Sequence, residues 1–159
     1  MTEKTNDETI PFQYPIRIDR QGRWFHEEVE IQRLKMIKLF ATVLNIDDKG
    51  RYWLKTPAEQ GIIDVKDVPF IVVGLDISQD KNGQRLVELR TNLGDLVALD
   101  ASRTIEMKGN IPYVDIRNGL KARLRREILF DLADLAEKDS KSKAKYGFYS
   151  GGMYHELES

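Results

Sequence analysis

The sequence predicts an α+β protein made of two small pseudo-repeated units of antiparallel strands, each with one amphipathic helix. Three observations carry that expectation. Runs of period-2 alternation bounded by turn residues occupy most of the chain, as half-buried strands require. Only two windows keep a helical period, residues 32–45 and 120–137. Both halves repeat one order of parts: hairpin strand, amphipathic helix, charged loop, aromatic strand. With 159 residues, the chain is long enough for one ordinary domain or two very small ones. The expected division is a flexible tail over 1–13, an N-terminal unit over 14–78 and a C-terminal unit over 79–159.

In the first unit, Ile16 and Ile18 alternate with Arg17 and Asp19 as a strand. Arg20, Gln21 and Gly22 turn the chain, because Gly22 can take the positive φ that a tight hairpin needs. The return strand, 23–31, places Phe25, Val29 and Ile31 on one face and Trp24, His26 and Glu28 on the other. Leu34, Ile37, Ala41 and Leu44 then fall at helical spacing, with Met36, Phe40 and Val43 beside them. So wide a stripe predicts a helix well buried against a sheet. Turn residues at 47–50 end it, and strands follow at 52–56 and 62–66 around a turn at 57–61. Residues 70–77, nearly continuous in apolar side chains, are the expected central strand.

Residues 79–83 are polar and end in Asn82 and Gly83, a strong hairpin signal and the expected internal boundary. Strands are expected at 85–91, 96–99, 104–107 and 113–116, with turns at 92–95 and 109–110. Asn118 and Gly119 introduce the second helix, whose buried face is Leu120, Leu124, Ile128, Leu132 and Leu135. Residues 138–145 (KDSKSKAK) form a solvated loop, and 146–157 an aromatic strand interrupted by Ser150, Gly151 and Gly152. Locally the repeat rests on RLKMIKLF at 33–40 against RLRREILF at 123–130, followed by GRYWL at 50–54 against GFYSG at 147–151.

IDRQGRWFHEEVEI, DKGRYWLKTPAEQG, LRTNLGD, PYVDIRNGLKARL and YGFYSGGMYHEL, in that order between Ile16 and Leu157, resemble the bacterial domain-of-unknown-function 1285 family. The resemblance implies a duplicated α+β architecture whose C-terminal part is loosely similar to pleckstrin-homology folds. It also implies a nucleotide-like ligand held between the two units, in a signalling role. The Lys-rich 138–145 loop departs from the family's pattern.

Composition excludes several functions. Lys+Arg is 25 and Asp+Glu is 26, a formal charge of −1, which argues against general nucleic-acid binding. The absence of cysteine excludes disulfides, thiolate metal sites and a cysteine nucleophile. Residues 1–8 (MTEKTNDE) lack the apolar core of a secretory leader, and no window approaches the ~18 apolar residues of a membrane span. A soluble, cytoplasmic protein is expected. Its two histidines, His26 and His155, have no metal-ligand spacing, so no metal and no cofactor is expected. His26, beside Trp24 and Glu28, reads as an imidazole held by a carboxylate. Phosphate-loop and dinucleotide-binding glycine motifs are absent.

What remains is a local excess of cations. Arg117, Lys121, Arg123, Arg125 and Arg126 fall within ten residues, with Lys121 and Arg125 on one helical face at an expected helix N-terminus. Arg90 precedes the turn at Asn92. Ser150 and Gly151 could offer backbone N–H groups to an anion, although a β-bulge accounts better for the glycines. The candidate ligand-binding residues are therefore Arg90, Asn92, Arg117, Lys121, Ser150 and Gly151. Thr56 and Glu59 occupy the equivalent turn of the first unit, and Trp53 or Trp24 packs alongside. No catalytic residue is assigned. The expected function is a non-catalytic module that binds an anionic or nucleotide-like small molecule. The alternative is a protein-interaction or homodimerisation module, using sheet edges or the aromatic strand. A hydrolase or transferase built on Glu59, His26 or Asp95 ranks last, since no nucleophile pairs with a base in sequence.

Overall fold

In the computed structural model, which describes residues 11–158, six short strands and one helix make the first unit, ending at Asp67. Strands β1 (Gln13–Ile18), β2 (Trp24–His26) and β3 (Val29–Glu30) form an antiparallel meander. Helix α1 (Leu34–Thr42) follows, and β4 (Leu44–Ile46), β5 (Tyr52–Lys55) and β6 (Gln60–Val65) form a second meander. The first strand of one meander runs parallel to the last strand of the other, giving the order β3-β2-β1-β6-β5-β4. Alternation decides the core face: Ile16, Ile18, Trp24, Leu44, Leu54 and Ile63 are buried.

The second unit begins at Val68 and holds β7 (Phe70–Gln79), β8 (Arg85–Thr91), β9 (Leu96–Leu99), β10 (Glu106–Lys108), β11 (Ile111–Arg117) and β12 (Leu120–Leu124). Its sheet has the order β10-β11-β12-β7-β8-β9, and its one parallel pair is again the first strand with the last, β7 with β12. Helix α2 (Arg126–Asp139) and a hairpin of β13 (Gly147–Ser150) and β14 (Met153–Glu156) complete it. Ile128, Leu132 and Ala136, one stripe of α2, are buried along with Phe70, Val72, Leu120, Ala122, Leu124 and Phe148.

The chain is thus α+β with two repeated units, and the repeat runs through the sheets strand for strand, β1–β6 onto β7–β12. The helices do not follow it. α1 lies between the third and fourth strands of its unit, whereas α2 comes after the sixth strand of its own. The RLKMIKLF/RLRREILF match therefore joins segments at non-equivalent places. The local signature that does repeat is the first hairpin turn, Asp-x-x-Gly at 19–22 and 80–83. Gly22 and Gly83 have φ of +82° and +79°. Asp19 Oδ1 accepts the Gln21 and Arg23 N–H groups, and Asp80 Oδ1 accepts those of Asn82 and Gln84, all at 2.9 Å.

Several expectations are corrected. The 79–83 segment joins β7 to β8 inside one sheet, because an Asn-Gly turn marks a hairpin and not a border; the division lies at Asp67 and Val68. Of the expected 1–13 tail, residues 1–10 lie outside the described residues, while Phe12 already accepts the Ile62 N–H and Gln13 opens β1. The return strand at 23–31 is split into β2 and β3 by a turn at Glu27 and Glu28, whose φ values are +49° and +67°. Residues 120–124 are a strand, since Asn118 and Gly119, at φ +49° and +81°, close a β11–β12 hairpin. Leu120, Ala122 and Leu124 alternate as well as they satisfy i,i+4 spacing. The last aromatic strand is a hairpin, turned by Gly151 and Gly152 rather than bulged. Among the described residues no helix is long and apolar enough to cross a membrane.

Candidate functional site

The predicted anion contacts are absorbed into the fold. Arg90 lies 3.6 Å from Asp76, Arg117 lies 3.2 Å from Asp95, and Lys121 lies 2.6 Å from Glu106 and 3.6 Å from Asp115. The Glu106 hydrogen bond raises the Lys121 pKa and in turn lowers that of Glu106. Lys121 stands in β12 and Arg125 caps α2, so the expected helical face does not exist, and neither does a helix N-terminus at Gly119. Asn92 binds β7 through both backbone and side chain, donating its N–H to the Ile71 carbonyl and accepting the Ile71 N–H. Asn92 and Arg117 thus meet at the 91–95 turn. Ser150 and Gly151 are at the other end of β8, against Val87 and Arg85.

Ser150 is buried. Its Oγ donates to the Leu99 carbonyl at 2.7 Å and accepts the Val87 N–H at 2.8 Å, while Gly151 N–H donates to the Arg85 carbonyl. These two residues partner β8 where β9 stops at Leu99. A Cβ on Gly151 would stand 2.7 Å from the Leu99 carbonyl oxygen, which leaves no room for another residue. In the first unit, Thr56 closes its own turn by accepting the Glu59 N–H and donating to the Glu59 carbonyl. Trp53 donates its indole N–H to Asp47, which with the backbone of Arg51 and Lys49 holds that carboxyl far below the usual carboxylate range. Trp24 is wholly buried and stacks on Phe40 at 6.1 Å. Among the described residues no three histidine or carboxylate side chains group as a metal site.

Sequence reasoning passed over His155. It is fully buried, donates from Nε2 to the Ser150 carbonyl and accepts the Thr104 hydroxyl at Nδ1. Burial lowers its pKa against the opposing pull of Ser150 and Asp100. Its role is to fasten the β13–β14 hairpin.

Among the described residues the first unit carries two notable grooves. One, of about 690 Å³, is lined by Arg17, Arg20 and Lys66 but also by Asp19 and Asp64. Arg17 is already gripped by Glu28 and Asp19 by Arg23, so the charges nearly cancel. The other, of about 510 Å³, runs between β3 and α1 and is mainly apolar, with Ile16, Val29, Ile31, Met36 and Phe40 in its walls.

Helix α1 is the feature the sequence misread. Only Ala41 of it is buried. Leu34 is 49%, Met36 39% and Leu39 65% exposed, and the rim carries the exposed cations Arg33, Lys35 and Lys38. No acidic residue occurs from Gln32 to Ile46. A nine-residue helix can lay only one stripe on a sheet, and Leu39 stands opposite that stripe. The helix thus exposes apolar side chains among cations, and Glu30 of β3 stands with Arg33 in the adjoining groove. The signal was available as apolar residues on nearly every side of a short, acid-free helix.

Two solved structures resemble the chain. A DUF1285 family protein from Silicibacter pomeroyi DSS-3 is 26% identical, with a TM-score of 0.78 over 96% of this chain and 86% of that one. A DUF1285 family protein from Shewanella baltica OS155 is 23% identical, with a TM-score of 0.61 over 79% of this chain and 92% of that one, and speaks to the fold alone. No curated protein matches the chain. Family models for the N-terminal domain of unknown function DUF1285 and for the C-terminal domain of the same family match residues 9–68 and 69–157, dividing the chain where its two units divide. The chain belongs to the DUF1285 family.

Proposed function

We propose that the chain is a protein-interaction module that docks an acidic, apolar-faced helical surface on α1 and the groove beside it. The observation that carries this reading is the exposure of Leu39, Met36 and Leu34 inside a ring of Arg33, Lys35 and Lys38. Burying side chains of this size is worth about 1.5–3 kcal/mol each when complete, and carboxylates on the partner supply register and on-rate. Small-anion binding ranks below this because Arg90, Arg117 and Lys121 each already face a carboxylate. Isothermal titration with a synthetic helical peptide bearing Leu or Phe on one face and Glu on its flanks tests the proposal. Binding is expected for the parent chain and is lost in Leu39→Asp and in Lys35→Glu/Lys38→Glu. Absence of binding to the parent, or equal binding to the variants, overturns it.

A further inference from the structure

We infer that a surface fitting α1 is present on the chain itself, so that α1 docks α2 of a second copy; this rests on reading α1 as a docking surface. The outward face of α2 has the same design with the opposite charge. Ile128, Leu132 and Ala136 face the core, and Phe130, 60% exposed, stands on the far side of the helix. Glu127 is three residues before Phe130, Asp134 four after and Glu137 seven after, and Asp131 is adjacent, so four carboxylates against one cation, Arg126 four residues before, surround the phenyl group. All four acids are exposed. On α1 the corresponding centre is Leu39, with Lys35 four residues before it, Lys38 adjacent and Met36 three before it.

The two helices therefore match in polarity and in anchor. Each has a large exposed apolar residue on its solvent face, Leu39 on α1 and Phe130 on α2, with cations beside the first and a net excess of carboxylates beside the second. Phe130 seats beside Leu39 and Met36, or in the apolar groove between α1 and β3. Lys35 and Lys38 face Asp131 and Asp134. Like copies of α1 repel one another, as do like copies of α2, so the contact is α1 to α2. Every copy carries both surfaces, and the contact either closes into a two-fold dimer or propagates. A helix of nine residues gives a small interface, of the transient class below ~1,200 Å².

Sedimentation equilibrium of the full chain tests this, at low and high ionic strength and up to about 1 mM, where small transient interfaces are populated. The parent is expected to self-associate at low salt and about tenfold more weakly at high salt, because the rim charges are screened. Lys35→Glu/Lys38→Glu and Asp131→Lys/Asp134→Lys should each be monomeric. Mixing the two variants, or combining all four changes in one chain, should restore association. That rescue requires folded variants and a pairing between these two helices, so it separates docking from unfolding. A parent monomeric throughout, or association indifferent to both reversals, overturns the inference. A monomeric parent that still binds the acidic peptide through Leu39 and Lys35 leaves the docking surface standing and removes only this partner. A monomer that binds vesicles of anionic lipid through the same residues also overturns it.

Discussion

Ser150→Ala separates a scaffold role from a ligand role at the residue the sequence marked as an anion contact. The hydroxyl closes a gap in the sheet: it takes the Val87 N–H at 2.8 Å and gives its proton to the Leu99 carbonyl at 2.7 Å, and both residues have no solvent exposure. Alanine leaves two buried main-chain groups without that partner. An unsatisfied buried group costs about 1–3 kcal/mol, and partial recovery by direct Val87–Leu99 approach sets the expected loss near 3 kcal/mol. For a chain of this length, that is a fall in Tm of about 6–12 °C. Urea unfolding followed by far-ultraviolet circular dichroism measures it. Both tryptophans, Trp24 and Trp53, lie in the first unit, so tryptophan fluorescence follows that unit separately. The loss is expected in the dichroism transition, with the fluorescence transition moving less. A loss below about 0.5 kcal/mol, the size of an ordinary surface substitution, refutes the ladder-closing role.

The pH dependence of stability is tied to His155. Its folded pKa lies below the ordinary 6.5, so the unfolded chain takes up the proton first, and stability present at neutral pH is lost as pH falls through 6.5. Urea midpoints should drop between pH 7 and 5.5, and His155→Gln should flatten that slope; an unchanged slope in the variant excludes the assignment. Trp24 is packed but its indole N–H has no hydrogen-bond partner among the described residues. Trp24→Phe should therefore cost under about 1.5 kcal/mol while Trp24→Ala costs about 3–5 kcal/mol, and equal losses in chemical unfolding contradict a purely apolar role. Glu27 sits at φ +49° in a two-residue hairpin turn that favours Asn or Gly. Glu27→Asn should raise stability by roughly 0.5 kcal/mol, and a lowered Tm shows that the glutamate side chain holds the turn.

Fold class was legible because strand alternation and turn chemistry are local. Gly22 and Gly83 each announce a positive-φ turn that the chain makes, whereas Gly119, expected to open a helix, closes a hairpin. Where two periods coincide, the sequence is ambiguous. Leu120, Ala122 and Leu124 fit a strand, Leu120 and Leu124 fit a helix, and the Asn118–Gly119 hairpin decides in favour of the strand by pairing β12 with β11. The repeat was visible in outline but sought in the wrong residues. Two amphipathic helices resemble each other by periodicity alone, whereas Asp-x-x-Gly at equivalent hairpins reflects backbone geometry that both units need. Glu27 and Glu28 carry no turn signal, so the β2–β3 turn could not be read.

The candidate anion contacts are paired with carboxylates in the fold, and the reason bears on why α1 stands out. Arg117 and Lys121 belong to a run of cations along the chain and Arg90 precedes a separate turn, but their carboxylates, Asp95, Glu106 and Asp76, are brought to them by the sheet across 14 to 22 residues. In a protein with 25 cations and 26 carboxylates, a run of one sign in sequence is weak grounds for a field in space. Helices differ, because most of their surface neighbours are three and four residues away on the same helix. Among the described residues a strand reaches α2 with opposite charge only near its C-terminal end, through Arg85 and Asp139. The acid-free rim of α1 and the acid-rich rim of α2 therefore survive folding, and each surrounds an apolar side chain that the core leaves outside. Leu39 and Phe130 mark two places where such a bias of charge lies beside an exposed apolar side chain.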